Sequence, residues 1–330
     1  LNRKLDFNDP KLTANLNFVL PRRIRWSRTT GGPILAPPAL QSGKVVVVST
    51  DQTIYAYART GRLAWRYPVA PSQDRLQILA RVRAAPLLTL QSVFVVERSS
   101  LRILSFADGS LVKVVPIPAG TWPLGLLGGR SILASPLEIA AYDQTGVCAW
   151  RTALPSGLVG ASLDQDQGRV LATTRTKQLC VIDAKVGTAF KPFDLASRPL
   201  TAAVATPGGA IYAREGKVLE LRWKDVTWSA ALPMEATSTP VVDEANVYVA
   251  CGDTLLALSL KTGQPVWSKT SSAPLGQPSL SEGRLYVANT QGQLWALNAT
   301  KGELRWEFPA RGATQAPPVP GGDLVFLGSE

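Results

Sequence analysis

The side chains that most often perform catalysis are scarce in this chain. Its 330 residues include no histidine, which removes the commonest general base and the commonest metal ligand. The three cysteines, Cys148, Cys180 and Cys251, have spacings that match no metal-binding motif. We therefore interpret them as buried free thiols, and the sequence predicts neither catalytic residues nor a metal site.

The other candidates for chemistry are acidic and glycine-rich segments, and each is better explained as a turn. Residues 164–169, DQDQGR, look like the start of a calcium loop but lack its terminal glutamate at the required spacing. Asp143 and Asp183 lie shortly before a glycine, where Asp usually caps a turn through its own side chain. The segments 125–130 (GLLGGR) and 206–210 (TPGGA) are predicted to be hairpin turns rather than phosphate-binding loops.

A phrase that recurs about every 39 residues connects these segments. It consists of an apolar residue, Ala, a polar pair, a turn with Gly and a closing Trp, as in residues 256–267. Clear copies end at Trp26, Trp65, Trp150, Trp228, Trp267 and Trp306, and degenerate copies fall near Val114 and Phe190. A short apolar segment before each unit also occurs eight times, and a fixed period of this length indicates a stacked or radial array.

Each unit contains four short runs rich in Val, Leu, Tyr and Trp, separated by Gly, Asp and Asn turns. This pattern predicts an all-β fold, an eight-bladed β-propeller of four-stranded antiparallel blades. Residues 316–330 resemble the first two strands of a unit, and residues 14–28 resemble the last two. We expect these N- and C-terminal strands to share blade eight and close the ring. The chain is then one domain, with residues 1–13 as an extended basic tail.

The phrase resembles the PQQ repeat of quinoproteins, Ala-x-Asp-x-x-Thr-Gly-x-x-x-Trp. Its best copy matches at Ala257, Thr262, Gly263 and Trp267, with Ser259 at the Asp position. The resemblance implies that the six tryptophans dock between neighbouring blades. In the PQQ enzymes of this family, a calcium held by acidic and amide side chains, an Asp base and often a Cys-Cys pair form the site. This chain has no Cys-Cys pair, and we expect no cofactor.

The net charge of +11 is unevenly distributed along the sequence, because residues 1–28 carry seven basic and two acidic side chains. The long link at 70–86, which permits one or two helical turns, should lie on the same rim of the ring as the turns between second and third strands. We call this the link rim. The basic residues that we predict to contact a partner there are Arg75, Arg81, Arg83, Arg98, Arg175, Lys177, Arg214 and Lys217. The opposite rim is expected to carry Asp164, Asp166, Asp243, Glu244, Glu282 and Asp323.

The leading functional hypothesis is a non-catalytic protein-interaction scaffold of the bacterial cell envelope. In size and repeat number the chain is similar to the BamB family of outer-membrane assembly factors. That resemblance implies an extracytoplasmic location in the periplasm or envelope and a protein partner, such as a barrel-assembly or secretion component. No apolar run approaches the roughly 20 residues of a membrane span. We expect a monomer whose leader or anchor is not visible in this sequence.

Two alternatives remain open from the sequence. One is a sensor of PQQ or another small ligand, or a degenerate quinoprotein, which would need polar groups converging in the central channel. The other is a binder of nucleic acid or of an anionic surface through the basic tract, which would weaken steeply as salt rises. The aromatic residues lie mainly in the docking phrase rather than among the basic residues, which disfavours single-strand binding.

Overall fold

The computed structural model describes residues 24–51, 53–68, 84–97, 99–223, 225–310 and 316–328. Their thirty strands form seven four-stranded antiparallel sheets and one two-stranded sheet. Each four-stranded sheet is built from consecutive strands, so it is one blade of a propeller. The all-β propeller of four-stranded antiparallel blades predicted from the repeat is confirmed.

The strands follow the repeat along the chain. Blades one and two are formed by β1 (Ala39–Gln41), β2 (Lys44–Val48), β3 (Thr53–Ala58), β4 (Leu63–Pro68), β5 (Leu87–Leu88), β6 (Ser92–Glu97), β7 (Ser100–Ser105) and β8 (Leu111–Pro116). Blades three and four are formed by β9 (Trp122–Leu127), β10 (Arg130–Ala134), β11 (Glu138–Tyr142), β12 (Cys148–Ala153), β13 (Leu158–Asp164), β14 (Arg169–Thr174), β15 (Gln178–Asp183) and β16 (Phe193–Asp194). Blades five and six are formed by β17 (Val204–Thr206), β18 (Gly209–Arg214), β19 (Val218–Trp223), β20 (Asp225–Ala231), β21 (Val241–Val242), β22 (Asn246–Cys251), β23 (Thr254–Ser259) and β24 (Pro265–Thr270). Blade seven is formed by β25 (Ser279–Ser281), β26 (Arg284–Ala288), β27 (Gln293–Asn298) and β28 (Leu304–Pro309), and the final sheet by β29 (Val319–Gly321) and β30 (Leu324–Phe326).

The core lies between the faces of neighbouring blades. Second strands such as β22 are buried at every residue, because both of their faces are covered by adjacent sheets. Fourth strands such as β12 alternate between partly buried and exposed residues, since the blades diverge towards the outside. Runs of Val, Ile, Leu and Ala therefore occupy the second and third strands, and polar residues alternate with apolar ones in the fourth.

The prediction of eight four-stranded blades is wrong, because the described residues form seven. The final sheet has only β29 and β30. The predicted outer strands of blade eight fall at 14–28, of which 14–23 lie outside the described residues, as does the predicted tail at 1–13; residues 24–28 form no strand. The sharing of a blade by the two ends therefore stays a prediction.

The sheet of β29 and β30 nevertheless contacts blade one and the N-terminal segment. Arg59 pairs with Asp323 across this junction and also donates to the carbonyl of Gly321. The ring of Trp26 lies 5.9 Å from that of Phe326 and 5.9 Å from that of Tyr57. Both ends of the described chain are thus tied to blade one.

Five tryptophans make the same contact with the next sheet of the ring. The indole N–H groups of Trp26, Trp65, Trp150, Trp228 and Trp267 donate to the carbonyls of Arg59, Phe106, Ala184, Leu260 and Ala299 at 2.7 to 3.2 Å. Each ring also covers a glycine in the turn between the third and fourth strands of that sheet. These glycines have φ between +70° and +83°, and a Cβ on any of them would lie within 2.7 Å of the indole. Glycine is required there both by the backbone conformation and by the close approach of the ring.

The degenerate copies were expected near Val114 and Phe190, and in blade two the docking residue is the neighbour of Val114. The register aligns Ile103 with Lys113 where blade one aligns Ala56 with Trp65, so Lys113 occupies the Trp position. Its Nζ donates to the carbonyl of Thr145 at 3.1 Å, while Val114 is 43% exposed. Phe190 is likewise 49% exposed. The spacing Gly-x-x-x-Trp, counted from Gly109, gives Lys113 rather than Val114, and the bulge in β8 makes Lys113 the residue that faces the next blade.

Candidate functional site

The acidic residues considered for chemistry are used within their own turns. Asp143 accepts hydrogen bonds from the backbone N–H groups of Thr145 and Val147 and from the Thr145 hydroxyl. The Thr145 hydroxyl and the Val147 N–H hold the pKa of Asp143 below its ordinary value. Asp183 accepts from the N–H groups of Lys185 and Val186 in the same way. These carboxylates close turns, as the sequence predicted.

The glycine-rich and calcium-like segments also prove to be hairpin turns. Residues 164–169 join β13 to β14, where Asp164 accepts from the N–H of Gln167. Residues 125–130 join β9 to β10, and residues 206–210 join β17 to β18. In the part of the chain that the structure describes, no group of three or more His, Cys, Asp or Glu side chains could hold a metal ion.

Two of the three thiols are poor nucleophiles in the folded protein. Cys180 and Cys251 are buried, Cys148 is partly buried, and all three are free. Burial raises the pKa of Cys180 and of Cys251 to about 11. Because the thiolate is the reactive species, both residues are unreactive at neutral pH.

The predicted basic residues of the link rim divide into three groups. Four of them, Arg75, Arg81, Arg83 and Arg98, lie outside the described residues. Arg175 and Lys177 are exposed in the turn between β14 and β15, and Lys217 is exposed in the corresponding turn of blade five, between β18 and β19. The described rim therefore brings three exposed cations onto two adjacent blades.

The remaining predicted rim residue, Arg214, is engaged in a buried network that the sequence analysis missed. Its Nε lies 2.7 Å from Oε2 of Glu220, whose side chain is only 1% exposed. The hydroxyl of Tyr212 donates to the same carboxylate at 2.6 Å. Burial raises the pKa of Tyr212, and its hydrogen bond to Glu220 raises that pKa further. Arg214 is therefore held by an ion pair within blade five, and its contact with a partner stays a prediction.

One sequence signal could have revealed this network. Glu220 stands between Leu219 and Leu221 in a strand of alternating character, and a lone carboxylate at an inward position needs a buried partner. Arg214, at the end of the preceding strand, is within reach because the hairpin pairs it with Val218.

The opposite rim carries the predicted acidic residues, but several are already paired. Asp243 accepts hydrogen bonds from the N–H groups of Ala245 and Asn246 and from the Tyr248 hydroxyl, and Asp323 pairs with Arg59. The turns between third and fourth strands lie on this rim too, and they add basic residues such as Lys261 and Lys301. The rim is therefore of mixed sign rather than acidic.

Comparison with known proteins gives the same family over most of the chain. A family model described as "Outer membrane protein assembly factor BamB" matches residues 22–122, 116–274 and 252–330. BamB of Legionella pneumophila (strain Paris) is 34% identical over 96 residues, which cover 28% of this chain and 24% of that protein. BamB of Nitrosomonas eutropha is 24% identical over 245 residues, which cover 62% of this chain and 60% of that protein. The chain thus matches less than two thirds of the length of these curated relatives.

A quinoprotein-like similarity and a similarity of fold accompany these matches. Lupanine 17-hydroxylase [cytochrome c] of a Pseudomonas species is 28% identical over 124 residues, covering 31% of this chain and 18% of that enzyme. The crystal structure of BamB from Moraxella catarrhalis superposes with a TM-score of 0.69 at 15% identity, covering 88% of this chain and 90% of the other. At that identity the superposition bears on the fold alone.

The structure has no helix that is both long and apolar enough to cross a membrane among the residues it describes. Of the described carboxylates, Asp143 and Asp183 are committed to their own turns and Glu220 to an ion pair with Arg214. The sequence repeats, the tryptophan contacts between blades and the family match all indicate the same repeat fold. The chain belongs to the PQQ-repeat family described as outer membrane protein assembly factor BamB.

Proposed function

We propose that this chain is a non-catalytic protein-interaction scaffold of the bacterial cell envelope that acts in the assembly of outer-membrane proteins. The observation that supports it is the family match, which runs from residue 22 to residue 330 in three overlapping segments. The turn carboxylates that are already hydrogen-bonded and the buried, protonated thiols of Cys180 and Cys251 support a role without catalysis. In this proposal the protein works in the periplasm, and its partner is a component of the barrel-assembly machinery.

The contact surface in this proposal is the link rim at blades four and five. Arg175, Lys177 and Lys217 are exposed on two short hairpin turns, and Lys177 and Lys217 hold φ values of 61° and 58°. Short turns on a rigid sheet present these charges in fixed positions, which favours a partner with a complementary acidic patch. Arg75, Arg81, Arg83 and Arg98, which lie outside the described residues, stay predicted contact residues.

The proposal is tested by affinity purification of the tagged full-length protein from crosslinked cells, with the captured proteins identified by mass spectrometry. We expect a barrel-assembly component to be enriched, and we expect Arg175→Glu with Lys177→Glu to reduce that enrichment several-fold. The control is Lys261→Glu with Lys301→Glu, which makes the same change of charge on the opposite rim. If no envelope-assembly protein is captured, the proposed function is contradicted. If both double variants capture the component equally well, only the proposed contact surface is contradicted.

The second candidate, a quinoprotein-like binder of PQQ, is favoured by the similarity to lupanine 17-hydroxylase. A titration of the purified protein with PQQ and calcium, followed by tryptophan fluorescence, separates the two. Saturable binding of PQQ would support this candidate. Absence of binding would exclude it and keep the scaffold proposal. The crosslinked sample could instead yield nucleic acid, with binding that weakens as the salt concentration rises. That result would favour a nucleic-acid binder that acts through the net charge of +11.

A further inference from the structure

The junction between blades four and five lacks the tryptophan contact that joins other blades. Residues 158–199 contain no tryptophan, and the residue at the docking position of blade four is Phe190. Its N–H donates to the carbonyl of Val181, which is the fourth residue of β15, just as Ala56, the partner of Trp65, is the fourth residue of β3. Phe190 is 49% exposed, whereas Trp65 is 7% exposed, so Phe190 does not make the buried contact that the indoles make.

Blade five also lacks the glycine that receives such a contact. Residues 222–227, where β19 ends and β20 begins, read RWKDVT and contain no glycine. The corresponding segments of the other four-stranded blades contain Gly61, Gly109, Gly146, Gly187, Gly263 and Gly302. Even at the junction of blades two and three, where a lysine replaces the tryptophan, Gly146 is covered by Val115 and Ile103. The junction between blades four and five is therefore the exception on both of its sides.

The outer strand of blade four is short as well. β16 contains only Phe193–Asp194, whereas β20 and β24 have seven and six residues. Fourth strands lie on the outside of the ring, so the short strand and the missing indole both weaken the outer half of this junction. Regions with few buried apolar contacts are those that open locally while the rest of a fold stays intact.

The inner half of the same junction is closely packed. The Thr173 hydroxyl of blade four donates to the carbonyl of Thr201 at 2.9 Å. A Cβ on Gly160 would lie 2.7 Å from the backbone nitrogen of Ala202, so the two backbones approach closely there. The buried residues that pack together in the second and third strands are Leu171, Leu179, Val181, Ala210 and Tyr212. Contact is thus held near the axis of the ring and missing at its outside, which is the geometry of a hinge.

The exposed cations of the link rim lie on both sides of this junction. Arg175 and Lys177 belong to blade four, and Lys217 belongs to blade five. Each turn is fixed to its own blade in the same way, since the N–H of Leu195 donates to the carbonyl of Lys177 and that of Leu232 to the carbonyl of Lys217. The separation of the cations therefore depends on the angle between the two blades.

We propose that the junction between blades four and five is a hinge of the ring, closed on its inner side and free to open on its outer side. Opening changes the separation between the cations of blade four and Lys217, so the contact surface adjusts to acidic partners of different shape. The tryptophan contacts at the other junctions keep the remaining blades together as rigid bodies. This inference rests on the proposed function as a protein-interaction scaffold, and it adds how the contact surface of that scaffold is regulated.

Distances between spin labels test the hinge in the purified full-length protein. One labelled pair, Lys177→Cys with Lys217→Cys, spans the junction of blades four and five. The matched pair, Lys217→Cys with Asp253→Cys, spans the junction of blades five and six, where Trp228 docks. Asp253 is the equivalent position in blade six, because its carbonyl accepts the N–H of Ser271 from the following link.

Pulsed electron paramagnetic resonance gives the distribution of distances for each pair. Both pairs carry Cys148→Ser, since Cys148 is only partly buried whereas the other two thiols are buried. We expect the distribution across blades four and five to be about twice as broad as that across blades five and six. Trp228→Ala should broaden the second distribution to match the first, whereas Phe190→Ala should leave the first unchanged. Equal widths in the two parent pairs, or no effect of Trp228→Ala, overturns the proposal.

Hydrogen exchange gives a second readout that needs no substitution. The hairpins β19–β20 and β23–β24 are matched elements of adjacent blades, and of the two only β23–β24 receives a tryptophan from the preceding blade. After correction for intrinsic rates, we expect the amides of β20 to exchange about tenfold faster than those of β24. Equal exchange rates would overturn the hinge even if Trp228→Ala fails to fold.

Two outcomes keep this proposal separate from the proposed function. If the two distance distributions are equally narrow but a barrel-assembly component is still captured from crosslinked cells, the contact surface is rigid and the scaffold function stands. If the distribution across blades four and five is broad but no envelope-assembly protein is captured, the hinge stands and the proposed function is contradicted.

Discussion

Replacing Trp267 with alanine should test the contact that joins successive blades. The indole N–H of Trp267 donates to the carbonyl of Ala299 at 2.8 Å, and its ring covers Gly302, where a Cβ would lie 2.6 Å from ring atom Cδ2. The ring also packs 5.9 Å from that of Tyr248. Trp267→Ala therefore removes one hydrogen bond and most of an aromatic surface between blades six and seven.

The expected cost follows from these contacts. A tryptophan of this kind buries about 150–250 Å², which at about 25 cal/mol per Å² corresponds to about 4–6 kcal/mol. Because Trp267 stays partly exposed, we expect the lower part of the range for large-to-small changes, about 3 kcal/mol. The equivalent residue in blade two is Lys113, so Lys113→Ala should cost less than about 1 kcal/mol.

The measurement is urea unfolding followed by far-UV circular dichroism, which does not depend on the removed fluorophore. Gly302→Ala completes a double-mutant cycle, because its Cβ clashes with Trp267 in the parent but not in Trp267→Ala. We expect the effects of the two changes on the free energy of unfolding to be strongly non-additive. Once Trp267 is removed, Gly302→Ala should cost only the strain of placing alanine at a positive φ. Additive costs, or a loss below about 1 kcal/mol for Trp267→Ala, would refute the docking role.

Three further predictions concern buried and titrating groups. Glu220→Ala should lower the free energy of unfolding by about 3 kcal/mol, because it leaves the charge of Arg214 without its partner, and Glu220→Gln should cost less; equal losses in urea unfolding would contradict the ionic role. Hydrogen bonds, first of all from the backbone N–H of Ser110, lower the pKa of Asp108 to about 2, so its stabilising contribution is present above about pH 4 and is lost as the pH falls towards 2. Asp108→Asn should reduce the change in the free energy of unfolding between about pH 4 and pH 2. An unchanged pH dependence in that range would contradict the role of Asp108. Ellman's reagent at pH 8 should not label Cys180 and Cys251 until the protein is unfolded, because burial raises the pKa of each to about 11; rapid labelling of the native protein at either residue, detected by mass spectrometry, would contradict their burial.

The repeat carried enough information to predict the fold class, because each blade is a local unit. A phrase such as residues 256–267 contains a strand, a glycine turn and the start of the next strand. These two strands, β23 and β24, pair with each other. Local hairpins therefore follow from the pattern of apolar residues and turns. The number of four-stranded blades did not follow, since the final described sheet has only β29 and β30, and most of the predicted outer strands at 14–28 lie outside the described residues.

The candidate site was less predictable for a related reason. Charge and turn position indicated Arg175, Lys177 and Lys217 as exposed, and the structure agrees. The same reasoning included Arg214, because sequence alone could not reveal that Glu220 is buried within reach of it. The exposure of Val112 and Val114 was also missed, since it depends on the bulge that puts Lys113 at the docking position.

The sequence by itself therefore determined the all-β repeat, the hairpin turns and the absence of histidine chemistry, because each is fixed by residue type and local spacing. Only the tertiary structure decided which side chains face the next blade, which charges are already paired, and where the outer contact between two blades is missing. Those properties depend on strand register and on the packing of one blade against another. A shift of one residue exchanges the buried and exposed faces of a strand, and in β8 the Gly-x-x-x-Trp spacing of the repeat, counted from Gly109, indicates Lys113 rather than Val114.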